Sequence, residues 1–102
     1  MTPHELIKKH LVHYIMVWEQ EPTTYNLWEE IKCEADRIGD RFNVLLTQYM
    51  NLRNELKTAE NPEPIAKKME NLQAELDEKM EAYKVHREAI DLIERKEYEW
   101  TS

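Results

Sequence analysis

A chain of 102 residues with net charge -7 and 34% charged residues fits one small domain with a well-solvated surface. Its acidity argues against a basic face that could neutralise phosphates, so direct nucleic-acid binding is not expected. A single glycine leaves little material for phosphate-cradling loops or β-hairpins, and a single cysteine, Cys33, excludes an internal disulfide.

The fold class that remains is all-α. No apolar run reaches the roughly 18 residues of a membrane span, and the N-terminus lacks a signal-peptide layout. A reducing cytoplasmic setting with no membrane partner is the expectation.

Thr2, Pro3 and Glu5 predict a helix start: a capping hydroxyl, a proline at the first helical position, and an acid three residues after the cap. The first helix is expected over about residues 3–19. From Leu11 to Trp18 seven of eight positions are apolar. A segment apolar all round is buried on more than one side, so its second face requires more protein.

Pro22 breaks that helix, and Thr23 or Thr24 caps the next. Trp28, Ile31, Ala35, Ile38, Phe42, Leu45, Tyr49, Leu52, Leu56 and Ala59 then follow an unbroken 3-4 spacing. This is the seam of a long helix lying along a partner, about 50 Å long over about residues 24–59. Gly39 falls within it. It is read as a helical glycine at a cost of about 1 kcal/mol, with a kink, a break capped by Asp40, or a notch with Ala35 as alternatives.

Asn61, Pro62 and Pro64 make the second turn, expected at about 60–63. The third helix is expected over about 64–98, with a line through Ile65, Met69, Leu72, Leu76, Lys79 or Met80, Tyr83, His86, Ile90, Ile93 and Trp100. Its rhythm stumbles after Leu76, as a four-residue insertion placing Met80 on the seam would cause. Tyr98 and Trp100 would cap the core near Trp28 or serve as a docking motif.

A short turn between two long helices gives an antiparallel hairpin. Its facing positions sum to about 121 by this turn geometry, pairing Leu45 with Leu76 and Ala35 with His86. The first helix covers only the open end. The half near the turn keeps an uncovered seam, which a second hairpin would close into a four-helix bundle. From Phe42 to Leu52 there is no charge. Phe42, Leu45, Leu46, Tyr49, Met50 and Leu52, with Met69 and Leu72 opposite, are therefore the expected interface.

Four groupings could carry chemistry. His10 and His13, three apart, share a side of the first helix and approach His86 by the pairing rule. They are candidate metal ligands, set against ordinary flank and register positions or a pH-sensitive contact. Cys33 faces outward and reads as a bland exposed thiol.

Glu29, Glu30, Glu34, Asp36 and Asp40 form an acidic run interspersed with Lys32, Arg37 and Arg41. Asp36 to Asp40 resembles a short signature of the all-α nucleotide pyrophosphohydrolases, which implies magnesium held by carboxylates. The resemblance spans five residues, and that family's acidic cluster on the preceding helix is missing. The acids are accordingly expected in local ion pairs. Size and long helices are also similar to helical chorismate mutases, but the order of Arg37, Arg41, Arg53 and Arg87 departs from that family's.

The third helix with its immediate flanks, Glu63 to Glu99, carries 11 of the 21 acids. Glu75, Glu78 and Glu81 define an acidic face that could imitate DNA, although interspersed lysines suit a solvated face. The function expected is stoichiometric protein binding, as an adaptor or inhibitor of the kind phages and plasmids carry, without catalysis, cofactor or metal. The partners expected are a second copy of the chain and one further protein. A DNA-mimicking inhibitor and a metal-dependent hydrolase are the alternatives.

Overall fold

The protein's structure, a computed structural model, describes residues 1–95, which hold three α-helices and no strand. They are α1 (Pro3–Trp18), α2 (Thr24–Leu56) and α3 (Glu63–Glu94). The expected end of the third helix at about 98 and the Tyr98–Trp100 motif lie outside the described residues. No described helix is long and apolar enough to cross a membrane.

Each helix begins where its side chains satisfy free N–H groups. Thr2 Oγ1 accepts from the Glu5 N–H at 3.2 Å, with Pro3 opening α1. Thr23, rather than Thr24, caps α2, its Oγ1 accepting from the Asn26 N–H at 3.1 Å. Asn61 Oδ1 accepts from the Glu63 N–H at 3.4 Å at the start of α3. α2 ends at Leu56, short of the expected Ala59. There the ladder tightens to i+3 bonds, from Lys57 N–H to the Asn54 carbonyl and Thr58 N–H to the Glu55 carbonyl. Gly39 stays helical within a continuous α2, which excludes the break capped by Asp40.

α1 stops at Glu19, whose φ of 54° is left-handed and whose N–H bonds to the Ile15 carbonyl at 2.8 Å. Glycine ordinarily takes this position, because a Cβ there costs about 1 kcal/mol. Glu19→Gly is expected to stabilise the protein by roughly 0.5 kcal/mol, the strain relief minus glycine's greater unfolded-state entropy. A thermal melt checks this, and a lower melting temperature would contradict it.

The described residues fall into two compact units, the first from Met1–Arg37 with the chain from Tyr83 onward, the second from Ile38–Ala82. In the first unit, Leu6 and Ile7 of α1, Leu27, Ile31 and Ala35 of α2, and Ala89, Ile90 and Ile93 of α3 form one core. Asn26 Nδ2 donates to the Tyr14 hydroxyl at 2.9 Å, tying α1 to the first turn of α2. Trp28 Nε1 donates to Glu94 Oε1 at 3.2 Å, tying α2 to α3.

In the second unit Leu45 and Leu76 are buried, while Phe42, Tyr49, Leu52, Leu56, Ile65, Met69 and Leu72 are half-buried. Arg41 reaches Glu75 at 3.4 Å. Gln48, Asn51 and Leu52 face Lys68, Asn71 and Leu72 across an open groove. These contacts lie close to the expected antiparallel pairing.

Two expectations about faces are corrected. Lys79 is half-buried and Met80 exposed, so the 3-4 rhythm of α3 runs on through Lys79 with no four-residue insertion. The aliphatic stem of a lysine can occupy a seam position while its ammonium stays in water. The apolar end of α1 is not covered on its second side: Val12, Ile15, Met16, Val17 and Trp18 are all exposed. Trp18 leans on Tyr14, their ring centroids 6.2 Å apart.

A candidate metal centre in the three-helix unit

One cluster of titratable side chains sits on the three-helix core. His10 of α1 and His86 of α3 are both buried, and Glu34 of α2 reaches them from between Ile31 and Ala35. Glu34 Oε2 lies 2.5 Å from His10 Nε2 and 3.4 Å from His86 Nε2. On the far side of the same ring, His10 Nδ1 lies 3.3 Å from Glu30 Oε1. His10 is thus flanked by two carboxylates one helical turn apart.

The core positions all of these groups. Leu6 and His10 are four apart on α1, so burying Leu6 carries His10 inward. Glu30 and Glu34 are four apart on α2 and border the buried Ile31 and Ala35. His86 precedes the buried Ala89 and Ile90 by one turn.

Burial raises the Glu34 carboxyl toward its neutral form, but the combined effect of the histidines is larger. The charge of His10, the hydrogen bond and charge of His86, and the contact with His10 hold it below the ordinary carboxylate value. Despite its short separation, Glu34 Oε2 does not lie along the His10 ring N–H. His10 Nε2 is buried without an aligned hydrogen-bond partner, as is Glu30 Oε2. The contact is one of charge and donor atoms more than of a linear hydrogen bond.

Of the candidates His10, His13 and His86, the structure brings His10 and His86 together and leaves His13 apart. His13 is exposed. Three residues of helix turn a side chain by about 60° away from the first, and burial of Leu6, Ile7 and Leu11 already fixes which way His10 faces. Glu34 takes the third place.

The acidic run on α2 is corrected in the same way. Glu30 and Glu34 contact histidines of other helices rather than local bases, and Arg41 reaches across to Glu75. The pairing of Ala35 with His86 also brings Glu34, the sequence neighbour of Ala35, to the level of that ring.

The remaining expected sites do not converge on this cluster. Cys33 is exposed, as expected. In the second unit Leu46 and Met50 are exposed beside the half-buried Phe42, Tyr49, Leu52, Met69 and Leu72. Of the acidic face, Glu78 and Glu81 are exposed and Glu75 is engaged by Arg41. No protein-family model matches this chain and no curated protein or solved structure matches it, so the chemistry of its sites follows from their own geometry.

Proposed function

We propose that the protein acts by stoichiometric protein binding, as an adaptor or inhibitor, and that its hairpin unit first pairs with a second copy of the chain. The observation that supports this is the thin core of that unit. Of residues 38–82, Leu45 and Leu76 alone are fully buried, while Val44, Leu46 and Met50 are exposed within a stretch that carries no charge. Two helices leave the other seam residues, such as Tyr49, Leu52, Met69 and Leu72, partly in water. A second hairpin laid over Leu46 and Met50 would complete a four-helix bundle, with the charge-depleted, methionine-containing composition of an interface core.

The exposed end of α1 then supplies a surface for a different protein. Met16 is 77% exposed and Trp18 62%, with Val12, Ile15 and Val17 beside them. Contiguous apolar surface of this kind marks interaction sites, and large aromatic side chains dominate binding energy there. DNA mimicry has weaker support, because Glu75 already pairs with Arg41 and lysines interrupt the rest of α3.

Light scattering on the purified, tag-free protein tests the first step. The wild type is expected to be a dimer. Leu46→Glu/Met50→Glu is expected to be a helical monomer, its dimer weakened by about 100-fold or more, since two desolvated charges enter the interface. Val12→Glu/Met16→Glu should remain a dimer. A monomeric wild type overturns self-association, and a dimer lost only in the α1 variant moves the interface to α1.

A further inference from the structure

We propose that His10, Glu34 and His86 form a binding site for a divalent transition-metal ion, zinc in the first instance, with Glu30 as the residue that orients His10. One donor atom from each of the three ligands lies within 4.8 Å of the other two. A tetrahedral zinc ion with bonds of about 2.0–2.1 Å spaces its ligand atoms by about 3.3 Å. The separations of Glu34 Oε2 from the two Nε2 atoms, 2.5 and 3.4 Å, bracket that spacing. Small rotations of side chains suffice to seat an ion.

The donor set selects the class of ion. Two imidazole nitrogens and one carboxylate oxygen suit zinc, cobalt or nickel, whereas magnesium and calcium require mostly oxygen. Histidines bind metal in their neutral form. With both imidazoles neutral, Glu30 and Glu34 leave two negative charges beside buried rings, and a dication cancels them.

Glu30 supplies the support that metal-bound histidines ordinarily need. Its Oε1 lies 3.3 Å from His10 Nδ1, the place from which a carboxylate would hold the Nδ1 proton once Nε2 turns its lone pair to a metal. The other oxygen, Oε2, is buried without a hydrogen-bond partner, which concentrates negative potential at the site. The three ligands come from three different helices packed on one core, so their positions are set before any ion arrives. The Glu34 side chain is 35% exposed, so the cluster reaches solvent on that side and an ion has a way in.

The test uses the full-length, tag-free protein stripped with a chelator and dialysed. Titration calorimetry with zinc chloride is expected to show one ion bound per chain, and zinc should raise the melting temperature by several degrees where magnesium does not. Cobalt(II) should give visible bands of tetrahedral intensity, a signature that a purely structural ion pair does not produce. Glu34→Gln keeps the side chain's shape and should weaken zinc by at least about 10-fold, as should Glu30→Gln. His13→Ala, on the exposed side of α1, should bind zinc as the wild type does.

No saturable zinc binding by the wild type, with no shift in melting temperature, overturns the proposal without the need for any variant. Zinc binding that survives Glu34→Gln unchanged, or that is lost with His13→Ala, overturns this choice of ligands. These readouts do not depend on whether the hairpin unit dimerises.

Discussion

Ile31→Ala is expected to lower the stability by about 3–4 kcal/mol, read as a fall in the urea midpoint with little change in slope. Ile31 is 0% exposed and belongs to the core shared by α1, α2 and α3. Removing three carbons there forfeits their transfer from water and leaves a cavity that three packed helices cannot collapse to fill. A domain this small has only a few kcal/mol of net stability, on the order of 5, so most of it would go. Leu52→Ala, at a half-buried position of the second unit, should cost roughly 1–2 kcal/mol, because water already reaches its side chain. Equal losses at the two positions would contradict the difference in packing between the units.

The second large effect separates two neighbouring leucines. Leu45→Glu is expected to cost about 4 kcal/mol or more, because Leu45 is 1% exposed and a carboxylate there loses both apolar burial and hydration. Leu46 is 38% exposed, one residue and about 100° further round the helix. Leu46→Glu should change the stability of the single chain by no more than about 0.5 kcal/mol. Any further loss at Leu46 should shrink as the protein is diluted, because it would come from the paired hairpins. Circular dichroism melts of both variants at two concentrations read this out. A concentration-independent collapse in Leu46→Glu would mean that α2 presents a different face to α3.

Much of this architecture is legible in the sequence because its information is local or periodic. Thr2 with Pro3, Pro22 with Thr23, and Asn61 with Pro62 mark helix limits through side-chain chemistry a few residues away. The 3-4 spacing from Ile31 to Leu52 fixes the face of α2, and the short turn then fixes its register against α3. Leu27 and Ala89 are less legible. Both are fully buried, yet neither lies on the two-helix seam. They are covered because α1 adds a third neighbour, which widens the buried stripe beyond what a heptad describes.

The candidate metal centre is half legible for a related reason. His10 and His86 can be brought together by counting along helices, since each lies beside a core position. Glu34 looks like any exposed helical acid among bases three and four residues away. Only the direction from which α1 arrives shows that its carboxylate faces two rings. Lys79 illustrates the converse: its charge suggested a break in the pattern, while its stem fits the pattern well.

The division of the chain into units also bears on the order in which it folds. Residues 38–82 are continuous, so the second unit closes around one short turn and requires little loss of loop entropy. The first unit joins the two ends of the sequence, and the bond from Trp28 to Glu94 spans 66 positions. Closing it from an open chain is slow, but a hairpin zipped from the turn shortens the effective loop and delivers α3 to α2 already in register. The thin core of the second unit then serves as an early kinetic guide, and the dense core of the first acts as a late lock. Changes near the turn should be felt mainly in the folding rate, and changes around Ile31 mainly in the rate of unfolding.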